Sequence, residues 1–401
     1  MPKIAPFRAT LPAEGLESQV VIDSNVSLSK DELFLKLEEN PFSYYHIFKP
    51  QTHFGDESTL EQAYAFGRNY FKQLKEQGVL VKEKDPALYV YQIITTEHNS
   101  FLGLISTVDI NDYEHGAIKK HENTLTEKQH KLFKHIEITG FIGEPVLLAY
   151  PSSGAINKIL HSYIETRPDK AFEYNENRHK LWKIQELSQI ETLIQEFAKV
   201  EAFYIADGHH RTASVYQFVK EKGLPPFNML TYLVSDEQLK IYPFYRLFTG
   251  QSMIDFQDVL EKLKVNFDIS ESAEKDKLAA DEFLMIMHDK TLKLKLKSEF
   301  DLDAMRISER LNVSLLEELI LKPIFHVQDS RDDKRLTFLS GKVSLKEVEA
   351  KVQRGDVTVA FAMAPISAED IFEVSDKNLT MPPKSTYIEP KLLSGSVILE
   401  F

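Results

Sequence analysis

One stretch of the sequence predicts both a fold and a site: Ala202-Phe203-Tyr204-Ile205-Ala206-Asp207-Gly208-His209-His210-Arg211-Thr212-Ala213-Ser214-Val215. Its apolar start predicts a buried strand, and the apolar residues after Arg211 return at helical spacing. A polar turn, residues 207–211, joins the two. A strand that runs into a helix in this way is typical of an α/β core, in which ligands bind at the carboxyl ends of strands.

The turn has the chemistry of an anion site. The first N–H groups of a helix lack partners within the helix, and the helix dipole places about half a positive charge there. Arg211 adds a planar fork that can hold a phosphate or a carboxylate with two hydrogen bonds. His209 and His210 can move protons near neutral pH. Anion binding combined with proton transfer indicates a phosphoryl-transfer site.

A simpler interpretation of the turn stays open. Asp207 could only cap the helix, Gly208 could only provide a tight turn, and the basic side chains could be solvated. However, two histidines and an arginine oppose the positive end of the helix dipole, so helix stability gives no reason for them. An anionic ligand would give one.

Composition limits the class of protein. A net charge of −13 argues against broad binding to nucleic acid or to anionic membranes, both of which favour a basic surface. The sequence has no cysteine, which excludes disulfides, a thiolate nucleophile and cysteine metal sites. No apolar segment approaches the roughly 20 residues that span a bilayer, and the N-terminus lacks the apolar core of a signal peptide. We therefore expect a cytoplasmic protein without nucleic-acid or membrane partners, and leave the oligomeric state open.

Strands and helices alternate along the rest of the chain. Residues 57–77 predict an amphipathic helix, residues 88–95 and 101–108 a hairpin, residues 145–150 a core strand, and residues 238–245 a further strand. A chain of 401 residues is too long for one ordinary core. We predict an α/β (or α+β) fold in two domains. Residues 1–250 form a mixed-sheet core that carries the turn, and residues 251–401 form a smaller α+β domain whose C-terminal strap returns to the site.

Two further polar segments could contribute to the same site. Residues 116–124 follow a predicted strand and contain Lys120, His121 and Glu122, which could neutralise phosphate and transfer protons. A solvated charged loop is the alternative there. The strap, residues 378–395, is rich in proline, lysine and hydroxyl side chains. It could present side chains to a ligand or simply cover the core.

Three motifs together resemble the domain-of-unknown-function 1015 family: Ile118-Lys119-Lys120-His121-Glu122, Ile205-Ala206-Asp207-Gly208-His209-His210-Arg211 and Met381-Pro382-Pro383-Lys384-Ser385-Thr386-Tyr387. The second motif alone is similar to the nucleotide-binding turn of the ParB/sulfiredoxin superfamily, particularly that of free-serine kinases. That resemblance implies that the residues from Gly208 to Arg211 hold nucleotide phosphates, and that Asp207 or a histidine takes part in proton transfer. Sulfiredoxin chemistry is disfavoured, because His209 stands where that enzyme needs a cysteine.

These observations favour a nucleotide-dependent phosphotransferase acting on a small hydroxylated metabolite, with serine or phosphoserine as the first candidate. Mg²⁺ and ATP or ADP are the cofactors that the resemblance implies. The candidate catalytic residues are Asp207, His210 and Glu122. The candidate phosphate-binding or nucleotide-binding residues are Gly208, His209, Arg211, Thr212, Lys120, His121, Lys384, Ser385 and Thr386.

Three alternatives remain. If water replaced the metabolite hydroxyl, the same site would act as a phosphatase on phosphoserine. A metal-dependent hydrolase would use Asp207, His209 and His210 as zinc ligands, although adjacent histidines on a helix point about 100 degrees apart. A non-catalytic nucleotide or effector sensor would keep Gly208 and Arg211 and would need no base.

Overall fold

The computed structural model describes the chain in five stretches: residues 1–54, 59–226, 229–250, 255–271 and 278–401. The chain divides into two units, one formed by Met1–Leu239 with Pro390–Phe401 and the other by Lys240–Glu389. The predicted domain boundary at residue 251 and the first residues of the predicted helix 57–77 lie outside the described stretches.

A nine-stranded mixed sheet forms the framework of the first unit. The first twelve strands of the chain all belong to this unit: β1 (Ile4–Ala5), β2 (Thr10–Pro12), β3 (Leu80–Lys82), β4 (Leu88–Ile94), β5 (Ser100–Val108), β6 (Ile118–Lys119), β7 (Phe141–Ile142), β8 (Val146–Tyr150), β9 (Lys170–Tyr174), β10 (Asn177–Ile184), β11 (Phe203–Asp207) and β12 (Met229–Ser235). The strand order in the sheet is β6-β11-β8-β12-β5-β4-β10-β9, with β1 paired to β5.

Helices accompany this sheet along the chain, as the predicted α/β class requires. Those of the first unit are α1 (Glu17–Val20), α2 (Lys30–Glu39), α3 (Tyr45–Phe48), α4 (Leu60–Glu76), α5 (Asn111–Glu114), α6 (Thr126–Thr139), α7 (Gly154–Ile164), α8 (Leu187–Phe197) and α9 (His209–Lys222), with 3₁₀ turns at Pro50–His53 and Asp236–Gln238. None of the helices in the described stretches is long and apolar enough to cross a membrane.

The centre of the sheet is buried, and its strands are almost continuously apolar. Every residue of β8 and of β12 is buried, and β4 and β5 each have a single residue that is not. Such runs are typical of strands covered on both faces. The predicted hairpin (β4 and β5, antiparallel) and the predicted core strand (β8) are confirmed, as is the mixed α/β class.

The second unit contains a six-stranded antiparallel sheet in the order β15-β17-β16-β19-β14-β18, and a separate strand pair, β13 with β20. Its strands are β13 (Lys240–Tyr242), β14 (Phe244–Phe248), β15 (Phe267–Glu271), β16 (Glu282–Ile286), β17 (Thr291–Leu296), β18 (Leu336–Ser340), β19 (Val359–Met363) and β20 (Tyr387–Glu389). Its helices are α10 (Phe256–Asn266), α11 (Ile307–Arg310), α12 (Asn312–Leu316), a π-helix (Glu317–Leu321), α13 (Leu345–Gln353) and α14 (Ala368–Asp376).

The single strand predicted over residues 238–245 is wrong. The structure has β13 and β14 there, which pair in different sheets and are separated by Pro243. Proline has no N–H to donate to a ladder, so it ends the first strand.

The last twelve residues return to the first unit. The final strand, β21 (Leu399–Glu400), pairs antiparallel with β7, and Ser394 forms a bridge with Ile22. These pairings fix the backbone of the segment that begins at Pro390, and they bring Lys391 to the carboxyl end of β11.

Candidate functional site

The predicted strand, turn and helix around residue 207 are confirmed. Strand β11 ends at Asp207, and its register against β8 shifts between Ile205 and Asp207. A bulge of this kind redirects the side chain that follows it. Gly208 has φ +102°, and α9 begins at the next residue. Because a β-carbon is strained at that φ, glycine is the residue that the turn requires.

Asp207 binds two cations. Arg211 Nη2 donates to Asp207 Oδ2 at 2.5 Å, and Lys391 Nζ donates to Asp207 Oδ1 at 2.5 Å. Arg211 Nη1 also donates to the carbonyl oxygen of Pro145 at 2.5 Å. We call Asp207, Arg211 and Lys391 the ion cluster. It holds two cations and one carboxylate.

The carboxyl of Asp207 stays ionised in this setting. Burial would raise its pKa, but the charges of Lys391 and Arg211 outweigh burial and lower the pKa to about 2. The Asp207 side chain is 32% exposed, and those of Arg211 and Lys391 are 21% and 18% exposed. The cluster therefore keeps contact with solvent while its charges stay fixed in place.

Two cavities of the first unit border this cluster. The first has a volume of about 330 Å³, part of it open to solvent, and its wall includes Ser24 and Glu144 together with the ion cluster. The second, of about 420 Å³ and also partly open to solvent, shares Glu144 and Arg211 and is otherwise lined mainly by apolar or aromatic residues: Tyr44, Phe48, Leu132, His135, Ile136, Ile142, Gly143 and Val215. Arg211 thus lies between a charged cavity and an apolar one.

The histidines of the turn contact the second polar segment. His209 is buried, its Nε2 accepts the backbone N–H of His121 at 3.4 Å, and its Nδ1 lies 3.8 Å from Glu122 Oε2. A neutral ring that accepts at Nε2 carries its proton on Nδ1, facing the carboxylate. Residues 121 and 122 therefore both lie beside the Asp-Gly-His-His-Arg turn.

The same histidines are neutral at pH 7. Burial lowers the pKa of His209 well below its usual value, lowers that of His121 to about 4, and lowers that of His210. The positive charge at the start of α9 accordingly comes from the ion cluster and not from imidazolium groups. Within the described residues, the buried Nδ1 atoms of His121 and His210 have no hydrogen-bond partner, and such atoms call for a water molecule or a ligand.

Two other predicted residues near the turn have different surroundings. Thr212 is fully buried, and its hydroxyl donates to the Gly208 carbonyl at 3.2 Å, so it closes the first helical turn. Lys120 is exposed, and its Nζ lies 5.8 Å from the centre of the Tyr113 ring. Their roles in phosphate binding stay predictions.

The three predicted phosphate-binding residues of the strap, Lys384, Ser385 and Thr386, belong to the second unit. There, Lys384 Nζ lies 5.4 Å from the centre of the Phe244 ring, and the buried Ser385 donates its hydroxyl to the Pro382 carbonyl at 2.6 Å. Thr386 is partly buried. The role of these three side chains at a phosphate also stays a prediction.

The residues of the zinc hypothesis have other partners. Both carboxylate oxygens of Asp207 accept from cations, and Nε2 of His209 accepts from the backbone of His121. Over the stretches that the structure describes, no group of three or more histidine, aspartate or glutamate side chains is placed to hold a metal ion.

Three residues that line the charged cavity, Lys391, Glu144 and Ser24, are not predicted by the sequence. Lys391 lies within the strap that the sequence singled out, but it is 184 positions away from Asp207, and no local pattern connects the two. Glu144 precedes the predicted core strand, and Ser24 lies in a polar turn, so each resembles ordinary loop surface in the sequence.

Among solved structures, the chain is similar to a free serine kinase in complex with AMP, with a TM-score of 0.32 and 15% identity over 68% of this chain and 84% of that chain. It is similar to SbnI with C-terminal truncation from Staphylococcus aureus, with a TM-score of 0.37 and 14% identity over 72% and 85% of the two chains. A conserved hypothetical protein from Pyrococcus furiosus has a TM-score of 0.32 and 17% identity over 71% and 91%.

No curated protein matches the chain. A family model matches residues 4–317, which include both the Lys-Lys-His-Glu segment and the Asp-Gly-His-His-Arg turn. The chain therefore belongs to the family described as protein of unknown function (DUF1015).

Proposed function

We propose that this protein is a nucleotide-dependent phosphotransferase that acts on a small hydroxylated metabolite, with serine or phosphoserine as the first candidate. The observation that carries the proposal is the ion cluster at the start of α9. There, Arg211 and Lys391 both bind Asp207, which holds the two cations side by side. Together with the N–H groups of the first helical turn, these cations suit a phosphate group.

Phosphoryl transfer depends on positioning and charge neutralisation more than on covalent chemistry. The charged cavity would take the phosphates, and the apolar cavity beyond Arg211 would take the flat base of the nucleotide. Mg²⁺ fits this arrangement, because it is usually held by phosphates, water and only one or two carboxylates. When bound, it would neutralise charge on the transferred group.

The three predicted catalytic residues differ in how well each could accept a proton. A carboxylate with a pKa of about 2 that is bound by two cations accepts protons poorly, so we assign Asp207 to positioning Arg211 and Lys391. His210 is neutral, and its buried Nδ1 has no partner among the described residues. Glu122 lies beside the Nδ1 of His209. These two residues remain our candidates for the proton acceptor.

The test measures binding and turnover separately. Calorimetric titration of the purified protein with ATP, ADP and AMP in the presence of Mg²⁺ should show saturable binding. Labelled ATP or ADP with a panel of hydroxy amino acids should then give a phosphorylated amino acid.

Arg211→Ala should cost about 2–4 kcal/mol of transition-state stabilisation, the range for removing one preorganised donor. Arg178→Ala is the matched control, because Arg178 forms an exposed ion pair with Glu173 and should be neutral.

Other results would point to the alternatives. Hydrolysis of phosphoserine without any nucleotide requirement would favour the phosphatase. Nucleotide binding without turnover in either direction would favour the sensor. Stoichiometric zinc in the isolated protein, with hydrolytic activity lost on chelation, would favour the metal-dependent hydrolase. Absence of both nucleotide binding and turnover on serine or phosphoserine would overturn the proposal.

A further inference from the structure

A serine hydroxyl of the chain itself lies in the charged cavity. Ser24 Oγ donates to Glu144 Oε1 at 2.8 Å, and both residues line the cavity together with the ion cluster. A hydroxyl that is hydrogen-bonded to a carboxylate already has a proton acceptor beside it. The neighbouring cations are the groups that stabilise a phosphoryl oxygen. The cavity therefore combines an acceptor, a base and an anion site.

The backbone immediately before Ser24 is held in place by hydrogen bonds. Ile22 and Ser394 exchange backbone hydrogen bonds at 3.1 Å and 2.9 Å, and the hydroxyl of Tyr45 donates to the Asp23 carbonyl at 3.1 Å. Tyr45 is itself buried. Ser24 thus follows an anchored segment, which limits the positions that its hydroxyl can reach.

A second serine-glutamate pair in the chain shows what is specific to Ser24. Ser29 Oγ donates to Glu32 Oε2 at the same distance, 2.8 Å, but this pair is exposed and caps helix α2. It accounts for a helix start and needs no further role. The pair of Ser24 and Glu144 caps no helix, and it borders the ion cluster instead.

We propose that Ser24 is an internal phosphoryl acceptor, a modification site that becomes phosphorylated when a nucleotide occupies the charged cavity. The inference rests on the proposed function, because the donor is a nucleoside di- or triphosphate. A bond forms between Ser24 Oγ and the terminal phosphorus, and the bond from that phosphorus to the bridging oxygen breaks. The shortened nucleotide leaves with that electron pair, and the Ser24 proton moves to Glu144. The carboxyl is then neutral beside the new phosphate.

The experiment incubates the full-length protein with Mg²⁺ and either ATP or ADP, then measures intact mass and maps the phosphorylated peptide. A single phosphoryl group on Ser24 is expected, with a first-order rate that does not change on dilution. Ser24→Ala should abolish the label, and Ser24→Thr should retain it. Glu144→Gln should slow labelling by about 100-fold or more, the usual effect of losing a general base. Ser29→Ala should label like the native protein.

The outcomes separate this inference from the function on which it rests. If nucleotides bind but Ser24 carries no phosphate, the inference is wrong and the proposed function stands. A labelling rate constant that rises in proportion to protein concentration would show that one molecule phosphorylates Ser24 of another. That result would also overturn the inference. If no nucleotide binds, the proposed function is wrong, and the inference is wrong with it because Ser24 then has no phosphoryl donor. Native-like thermal unfolding of Ser24→Thr and Glu144→Gln would show that any loss of label is chemical.

Discussion

Gly208 shows how the backbone of one residue shapes the site. Its φ of +102° is a conformation that residues with a side chain rarely adopt, and a β-carbon there would lie 3.2 Å from the guanidinium of Arg211. A side chain would therefore strain the turn and also press on the cation that binds Asp207.

We expect Gly208→Ala to lower the free energy of unfolding by about 1–2 kcal/mol, the cost of a left-handed backbone conformation for an L-residue. It should also weaken nucleotide binding, because Arg211 must move. Urea denaturation and calorimetric titration measure the two effects. The matched control is Gly154→Ala at the first position of α7, where a β-carbon meets nothing within 4 Å. Equal effects of the two substitutions would contradict this account.

Asp207 gives a prediction about pH. Its folded-state pKa is lowered to about 2 from a usual value of 3.8, so its stabilisation is complete above pH 3.8 and is lost as the pH falls through about 2. Allowing for partial exposure, we expect Asp207→Asn to cost about 1–2 kcal/mol at pH 6. The difference from the native protein should shrink steadily below pH 4. Denaturant titrations across pH 2–6 measure it, with the exposed Asp85→Asn as control. A difference that did not depend on pH would rule out this ionic origin.

Residues of the turn could be predicted because the information is local. An apolar run, Asp-Gly and a renewed helical spacing occupy 14 consecutive positions in the sequence, so the order of strand, turn and helix follows from them. The protonation of the histidines could not be predicted in this way. It depends on burial by distant segments, which lowers the pKa of His121 and of His209.

The hairpin of β9 and β10 shows where sequence patterns fail. The sequence pattern predicts no element over residues 170–184, although the two strands pair antiparallel there. Their turn residues, Asn175 and Glu176, have φ values of 47° and 63°. Positive φ at both positions is typical of a tight hairpin turn, for which Asn-Gly is the usual signal. Glu176 stands in place of the glycine and hides that signal.

The C-terminal segment supplies one of the two cations of the ion cluster. Lys391 reaches Asp207 only because β21 and the bridge at Ser394 hold the returning chain. We expect Lys391→Met to raise the pKa of Asp207 and to weaken nucleotide binding by about 1.5–3 kcal/mol, the value of a hydrogen bond to a charged group. Calorimetric titration measures the affinity. Lys131→Met, in an exposed pair with Glu127 on α6, should bind like the native protein. Unchanged affinity in Lys391→Met would remove Lys391 from the site.

The whole molecule is organised so that the first unit is discontinuous in sequence. The chain leaves it after Leu239 and re-enters it at Pro390. Within the second unit, the first and last residues, Lys240 and Glu389, are partners in the pairing of β13 with β20. Residues paired across antiparallel strands have α-carbons about 5 Å apart. The two connections between the units therefore begin from neighbouring points of the backbone.

This arrangement predicts that the first unit folds without the second. A variant in which Lys240–Glu389 is replaced by a short Gly-Ser linker should unfold cooperatively, because the linker closes a small gap and loop closure costs little at that length. We expect it to keep its sheet, its ion cluster and both cavities, because all their residues belong to the first unit. Circular dichroism during heating, size-exclusion chromatography and nucleotide titration measure the outcome.

The matched control carries residues 1–239 alone. It lacks Lys391, strand β21 and the buried residues Ile398 and Leu399, so β7 loses its partner and Phe141 loses part of its packing. We expect this shorter variant to aggregate or to melt without a cooperative transition, since an unpaired strand edge and an exposed apolar surface favour association. If the shorter variant unfolded as sharply as the linked variant, the last twelve residues would not be needed for the first unit to fold. If the linked variant failed to fold, the first unit would depend on the second.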